Sequence, residues 1–138
     1  MRKVRCLRRM KVTMSVCSDE LLALAESLIV GENEASNRAS VSRSYYALYH
    51  EAVITASFLS LPEAKDIKTA HERLIFRYSA SSRGLSAIGR SLRKQKLMRA
   101  KADYDIRDMI TSSDAKLHVA TTRRVVSDLR RITSKIAN

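Results

Sequence analysis

From Asn33 to Ser60 the chain runs without a glycine or a proline, and no other feature narrows its fold as much. Within that run Tyr45, Tyr46, Ala47, Leu48, Ala52, Val53, Ile54 and Leu59 recur at helical rather than alternating spacing. The pattern predicts a long central helix over 33–60. Pro62 ends it, because α geometry is disfavoured in the residue before a proline. The whole chain of 138 residues holds only three glycines and one proline, so helix is expected elsewhere too. That length suits one domain with one core.

Four further helices are expected around the central one. Ser18, followed by Asp19 and Glu20, reads as the capped start of an amphipathic helix carrying Leu21, Leu24, Ala25, Leu28 and Ile29, which stops at Gly31. A third helix spans Thr69 to Ser79 with Leu74, Ile75 and Tyr78 turned inward, before a serine-rich break. A fourth covers Leu85 to Asp103 despite Gly89, a residue that costs about 1 kcal/mol against alanine inside a helix. Ser113 and Asp114 read as the cap of a last helix with Val125, Leu129, Ile132 and Ile136 on one stripe. No long window alternates with period two and no repeat appears. The expected fold is an all-α, up-and-down bundle of four to five helices over 18–138, preceded by a basic segment over 1–17.

The net charge of +12 is unevenly placed. Arg2, Lys3, Arg5, Arg8, Arg9 and Lys11 supply half of it within residues 1–14, where there is no acid. Met10 and Met14 are alternative starts, and use of either would remove most of this leader. Residues 83–101 add seven basic side chains without a carboxylate. Concentrated positive charge fits RNA, while an acidic protein partner or a solvated face fits it as well.

Cys6 and Cys17 have no second pair or histidine at metal-ligand spacing and are read as free thiols. No cofactor or metal is implied. The basic start lacks the apolar stretch of a signal peptide, and nothing approaches the roughly 18 apolar residues of a membrane span. A cytoplasmic protein is expected.

Chemistry concentrates in Arg43-Ser44-Tyr45-Tyr46-Ala47-Leu48-Tyr49-His50. Residues i and i+7 differ by about 20° around a helix and about 10 Å along it, so Arg43 and His50 share a face with Tyr46 between them. Tyr45 and Tyr49 form an i, i+4 pair on a neighbouring face. A plainer reading pairs Arg43 with Glu34 or Glu51, and Arg99 with Asp103 one turn on. A mid-helix Ser44 more often bonds the preceding turn than a ligand. His71 and His118 lack a comparable partner pattern and are read as ordinary structural residues.

The run Ser-Arg-Ser-Tyr-Tyr-Ala-Leu-Tyr-His-Glu-Ala resembles the signature of the HEPN superfamily, an Arg and a His separated by four to six residues; six intervene here. Arg99-Ala100-Lys101-Ala102-Asp103-Tyr104 resembles the second block of its prokaryotic branch, and Thr69-Ala70-His71 stands where that branch often has a Thr-His pair. The resemblance implies a homodimer with Arg43 and His50 of both protomers in one cleft. In active members that cleft performs metal-independent RNA cleavage, as toxins or host-defence effectors. It implies Ser44, Tyr46, Arg99, Lys101 and Tyr104 as substrate-binding candidates. Other members are non-catalytic modules that bind nucleotide or a nucleotidyltransferase-type antitoxin. Ala52 departs from the pattern of many antitoxin-paired members, which carry Tyr two residues past the His.

Overall fold

The long run without helix breakers becomes α2 (Glu34–Phe58), the axis around which α1 (Ser18–Ile29), α3 (Ala70–Ser79), α4 (Arg83–Tyr104) and α5 (Ser112–Ile136) assemble in a computed structural model that describes residues 15–31 and 33–136. Each of the other four helices packs on α2, with α1 and α5 making the most extensive contacts. No strand occurs among the described residues, so the all-α expectation holds. The basic leader over 1–14 lies outside the described residues. No described helix is long and apolar enough to cross a membrane.

Contact with all four other helices explains the make-up of α2. Its buried residues include Ser40, Ser44, Ala47, Ala52, Thr55 and Ala56 as well as Tyr45 and Leu48. Small side chains let neighbouring helices approach, while the buried serine hydroxyls bond locally or to a neighbour. Ser40 donates to the Ala25 carbonyl of α1 at 2.7 Å. Around this axis Leu22, Leu74, Ile75, Tyr78, Ile88, Leu92, Val125, Val126 and Leu129 complete the main core. In α1 it is Leu22, not Leu24, that is fully buried; Leu24 is exposed. The α5 stripe is buried at Val125 and Leu129, half-buried at Ile132 and exposed at Ile136.

Helix ends depart from sequence expectation by a residue or two, for visible reasons. Cys17, not Ser18, is the N-cap of α1, and Glu20 reaches back to accept from the Cys17 amide at 2.8 Å. Ser18 is buried and donates instead to Glu51 at 3.0 Å. Cys17 is disulfide-bonded, which corrects the free-thiol expectation there; Cys6 lies outside the described residues. Thr111 caps α5 in a reciprocal arrangement. Its hydroxyl accepts from the Asp114 amide at 3.0 Å, and the Asp114 carboxylate accepts from the Thr111 amide at 2.9 Å. Gly89 is required by packing. A Cβ there would stand 2.7 Å from Ser79 Oγ and 3.1 Å from the Ser79 amide, so α4 crosses the end of α3 only where a side chain is missing.

Two polar ties bind the bundle. Arg130 of α5 meets Asp19 of α1 at 2.8 Å and the buried Glu51 of α2 at 3.4 Å. Arg38 of α2 pairs with Glu34 and donates to the carbonyls of Lys101, Ala102, Asp105 and Asp108. Lys101 O also accepts from the Asp105 amide at 3.0 Å, while the other three lie beyond the last backbone donor of α4, where a cation also suits the helix dipole.

Two stability predictions arise. The end of α2 is closed by Leu61 N–H donating to Ala56 O at 3.0 Å and Ser60 N–H donating to Ser57 O at 3.2 Å, with Ser60 left-handed at φ 51°. A Cβ is unfavourable in that region, so Ser60→Gly is expected to raise stability by about 1 kcal/mol, read from the urea midpoint. His118 on α5 is fully buried, and burial pushes its imidazole down to about 4 from an ordinary 6.5. The folded state therefore excludes a proton that the unfolded chain accepts. This group's contribution is complete above pH 6.5 and is lost as pH falls towards 4, a decline of about 3 kcal/mol. In His118→Leu the stability curve between those pH values should flatten by that component; an unchanged slope would refute the assignment.

Candidate functional site

Helical register places Arg43, Tyr46 and His50 on one open stripe of α2, with Arg43 and His50 exposed and Tyr46 half-buried between them. The Arg43 guanidinium lies 5.2 Å from the Tyr46 ring centroid. The His50 ring also stacks with Tyr46, centroids 6.3 Å apart and planes inclined by 28°. The phenol thus spaces a cation and an imidazole along one row. Neither carboxylate considered as a partner for Arg43 engages it: Glu34 pairs with Arg38 and Glu51 with Arg130.

Helix α4 closes one side of the stripe. Arg99 donates to the Tyr46 hydroxyl at 2.8 Å, and its guanidinium stands 5.2 Å from that ring, 6.0 Å from Tyr45 and 5.6 Å from Tyr104. The expected helix-face pair is present, Arg99 Nε to Asp103 at 2.8 Å. Asp103 also accepts from Ser42 at 3.3 Å, so it links Arg99 back to α2 beside Arg43. Two arginines consequently flank one tyrosine, one of them held from both directions.

On the other flank the structure brings in a residue the sequence reading set aside. His71, in the first turn of α3, packs its ring 4.7 Å from Tyr49 and 5.5 Å from Tyr45. Tyr45 Oη lies 2.7 Å from His71 Nδ1. Burial holds the Tyr45 phenol well above its ordinary value, so it remains protonated and is the donor. Burial also pushes His71 below its ordinary value, and the positive charges of Arg99 and Lys96 add to this. A neutral His71 accepting at Nδ1 carries its proton on Nε2. Tyr49 meets His50 edge-on at 5.4 Å, so the aromatic cluster connects the two histidines. The sequence signal was the Tyr45–Tyr49 spacing; what lay beneath that pair depended on how α3 returns to α2.

Not every candidate joins this cluster. Ser44 is fully buried and donates to the Val41 carbonyl at 3.1 Å, bonding the preceding turn on the far side of α2 from the open stripe. Lys101 is two residues from Arg99, hence about 200° around α4. It turns towards Asp108 at 4.0 Å. Tyr104 is 74 % exposed beside Arg99, and Ile106 just beyond it is 83 % exposed. Arg43, Tyr46, His50, Arg99 and Tyr104 are therefore brought together; Ser44 and Lys101 are not. Among the described residues no three His, Cys, Asp or Glu side chains are grouped to hold a metal ion.

No family model matches this chain, and no curated protein matches it.

The charge of Arg99 can be tested through its neighbour. Arg99→Gln removes a cation that opposes protonation of His71, so the His71 titration midpoint is expected to rise in NMR while remaining below the ordinary histidine value because burial persists. A midpoint that stays in place would show that burial alone sets it.

Proposed function

We propose that this chain is a HEPN-type, metal-independent RNA endonuclease, acting as a toxin or host-defence effector. The observation that carries this reading is the solvent-open row of Arg43, Tyr46 and His50 with Arg99 fixed behind it. Here His50 removes the proton of a ribose 2′-hydroxyl, the 2′-oxygen attacks the adjacent phosphorus as the bond to the 5′-oxygen breaks, and the 5′-oxygen leaves with a proton from the protonated His50 of a second protomer. The products are a 2′,3′-cyclic phosphate and a 5′-hydroxyl. Arg43 and Arg99 stabilise the added negative charge of the pentavalent phosphate, and the Tyr46 and Tyr104 rings offer flat surfaces to an unstacked base.

Homodimerisation belongs to this reading. Arg43 and His50 are two turns apart, about 10 Å along the axis, a wide span for one scissile phosphate. A second protomer facing the stripe would supply complementary groups. The exposed Tyr104 and Ile106 beside Arg99 favour such a covered face. They equally favour the second reading, a non-catalytic module whose partner is a nucleotidyltransferase-type protein.

The deciding experiment is cleavage of total cellular RNA by purified protein in EDTA, with analysis of the product ends. Cyclic-phosphate products from the wild type and a loss of about 100-fold or more in His50→Ala are expected. Equal cleavage by the variant, at unchanged thermal stability, would remove His50 from the mechanism. Absence of cleavage by both would favour the partner-binding reading.

A further inference from the structure

A cavity of about 470 Å3 lies between α2 and α3, against residues 63–65 of the segment that joins them. Tyr49 connects it to the Arg43–His50 row. That side chain meets His50 edge-on at 5.4 Å and lines the cavity together with Val53 of α2 and the buried Leu74 of α3. The volume falls within the range of small-molecule sites.

Two guanidiniums share this cavity. Arg73 and Arg77 both line it, one turn apart on α3 and so about 6 Å along its axis. Backbone oxygens fix each arm. Arg73 Nη1 donates to Ile67 O and Lys68 O at 2.9 Å each. Arg77 donates to Leu61 O through Nε at 3.3 Å and Nη2 at 3.0 Å, and to Ala56 O through Nη2 at 3.3 Å. Neither forms an ion pair among the described residues. Nε and Nη2 of Arg73 and Nη1 of Arg77 have no bond to a described residue, yet none of these nitrogens is enclosed. The buried, unpartnered side-chain nitrogens and oxygens among the described residues belong to Thr55, Arg99, His118 and Thr122 instead.

Donors that are held in place yet open lose little freedom when an anion arrives. Lys65 lines the cavity as a third cation and Glu63 as a carboxylate, so three positive charges less one negative leave an excess of two. An aliphatic acid would fill the apolar wall but bring a single carboxylate to those cations. A nucleotide unit supplies both parts: a base for the aromatic and aliphatic wall, and phosphate oxygens for guanidinium forks that match their geometry.

We infer that this cavity is the subsite for one nucleotide unit of an RNA strand, its base against Tyr49, Val53 and Leu74 and its phosphate between Arg73 and Arg77. A strand with a ribose at His50 passes over Tyr49 to reach it. That the strand is also a substrate rests on the ribonuclease reading; that a base joined to a phosphate fits the cavity does not.

The test uses the full chain and a 2′-O-methyl RNA tetramer, which has no free 2′-hydroxyl to attack, with calorimetry and NMR of the Val53 and Leu74 methyl groups. Saturable binding that moves both sets of methyls is expected. Adenosine 5′-monophosphate should move the same methyls, with adenosine and inorganic phosphate each at least tenfold weaker. Arg73→Gln should weaken the tetramer at least tenfold. Because that arm also holds the chain before α3, Ala64→Trp is the second variant: it fills the cavity, spares both guanidiniums, and should weaken binding by the same margin at an unchanged thermal melt. His50→Ala should leave tetramer affinity within twofold. A chain that binds the tetramer at these methyls but cleaves no RNA would support the subsite and refute the nuclease reading. Unmoved methyls, equal affinity for adenosine and its monophosphate, or undiminished binding in Ala64→Trp would each overturn the subsite, whatever the protein cleaves.

Discussion

Arg38 decides how α4 lies against α2, and the candidate site depends on that placement. Its guanidinium gathers the last carbonyls of α4 and those of the following turn, most of them beyond the reach of the helix's own donors. Asn37, one residue earlier, adds a bond to the Ile110 carbonyl at 3.2 Å. These contacts come from one turn of α2 and hold both the end of α4 and the segment leading into α5. Arg38 is five residues before Arg43, and Lys101 is two after Arg99. Pinning one pair of backbone segments therefore sets the distance between the Tyr46 hydroxyl and the Arg99 guanidinium, which meet at 2.8 Å.

The central helix has to satisfy two incompatible demands. It must be apolar and small enough to admit four neighbours, yet carry a charged, aromatic stripe to solvent. The compromise is visible in the burial pattern. Ser44, Tyr45, Ala47 and Leu48 are buried, while Arg43 and His50 remain exposed and Tyr46 is half-buried. Aromatic side chains mediate between these regimes: Tyr45 lies in the core and bonds His71 at its hydroxyl, whereas Tyr46 has its ring between charged groups and its hydroxyl on Arg99. The cost of holding polar groups near the core is limited because the Ser44, Tyr45 and Tyr46 hydroxyls each have a partner.

Three histidines occupy three environments and differ chemically for that reason. His50 is exposed at the edge of the aromatic row. His71 is partly covered, close to Arg99 and Lys96, and held below its ordinary value as an acceptor for Tyr45. His118 is buried on α5 with the Val41 backbone beside its ring, and burial pushes it furthest below its ordinary value. Residue type alone would treat these as equivalent; desolvation and neighbouring charge separate them.

Helix existence and order were legible from local information. A run without breakers and the apolar spacing in α3 and α5 act within a few residues of chain. The Arg43–Tyr46–His50 row was legible for the same reason, since a 3.6-residue period puts i, i+3 and i+7 on one face whatever surrounds them. Tertiary packing decided what no local period contains. It brought Arg99 onto Tyr46 and His71 onto Tyr45, turned Ser44 into the core and Lys101 away, and made Gly89 a crossing point rather than a weak place in α4. It also buried His118 within the bundle. Periodicity assigns a residue to a face of its own helix; which element covers that face, and with what charge, is determined only when distant segments pack together.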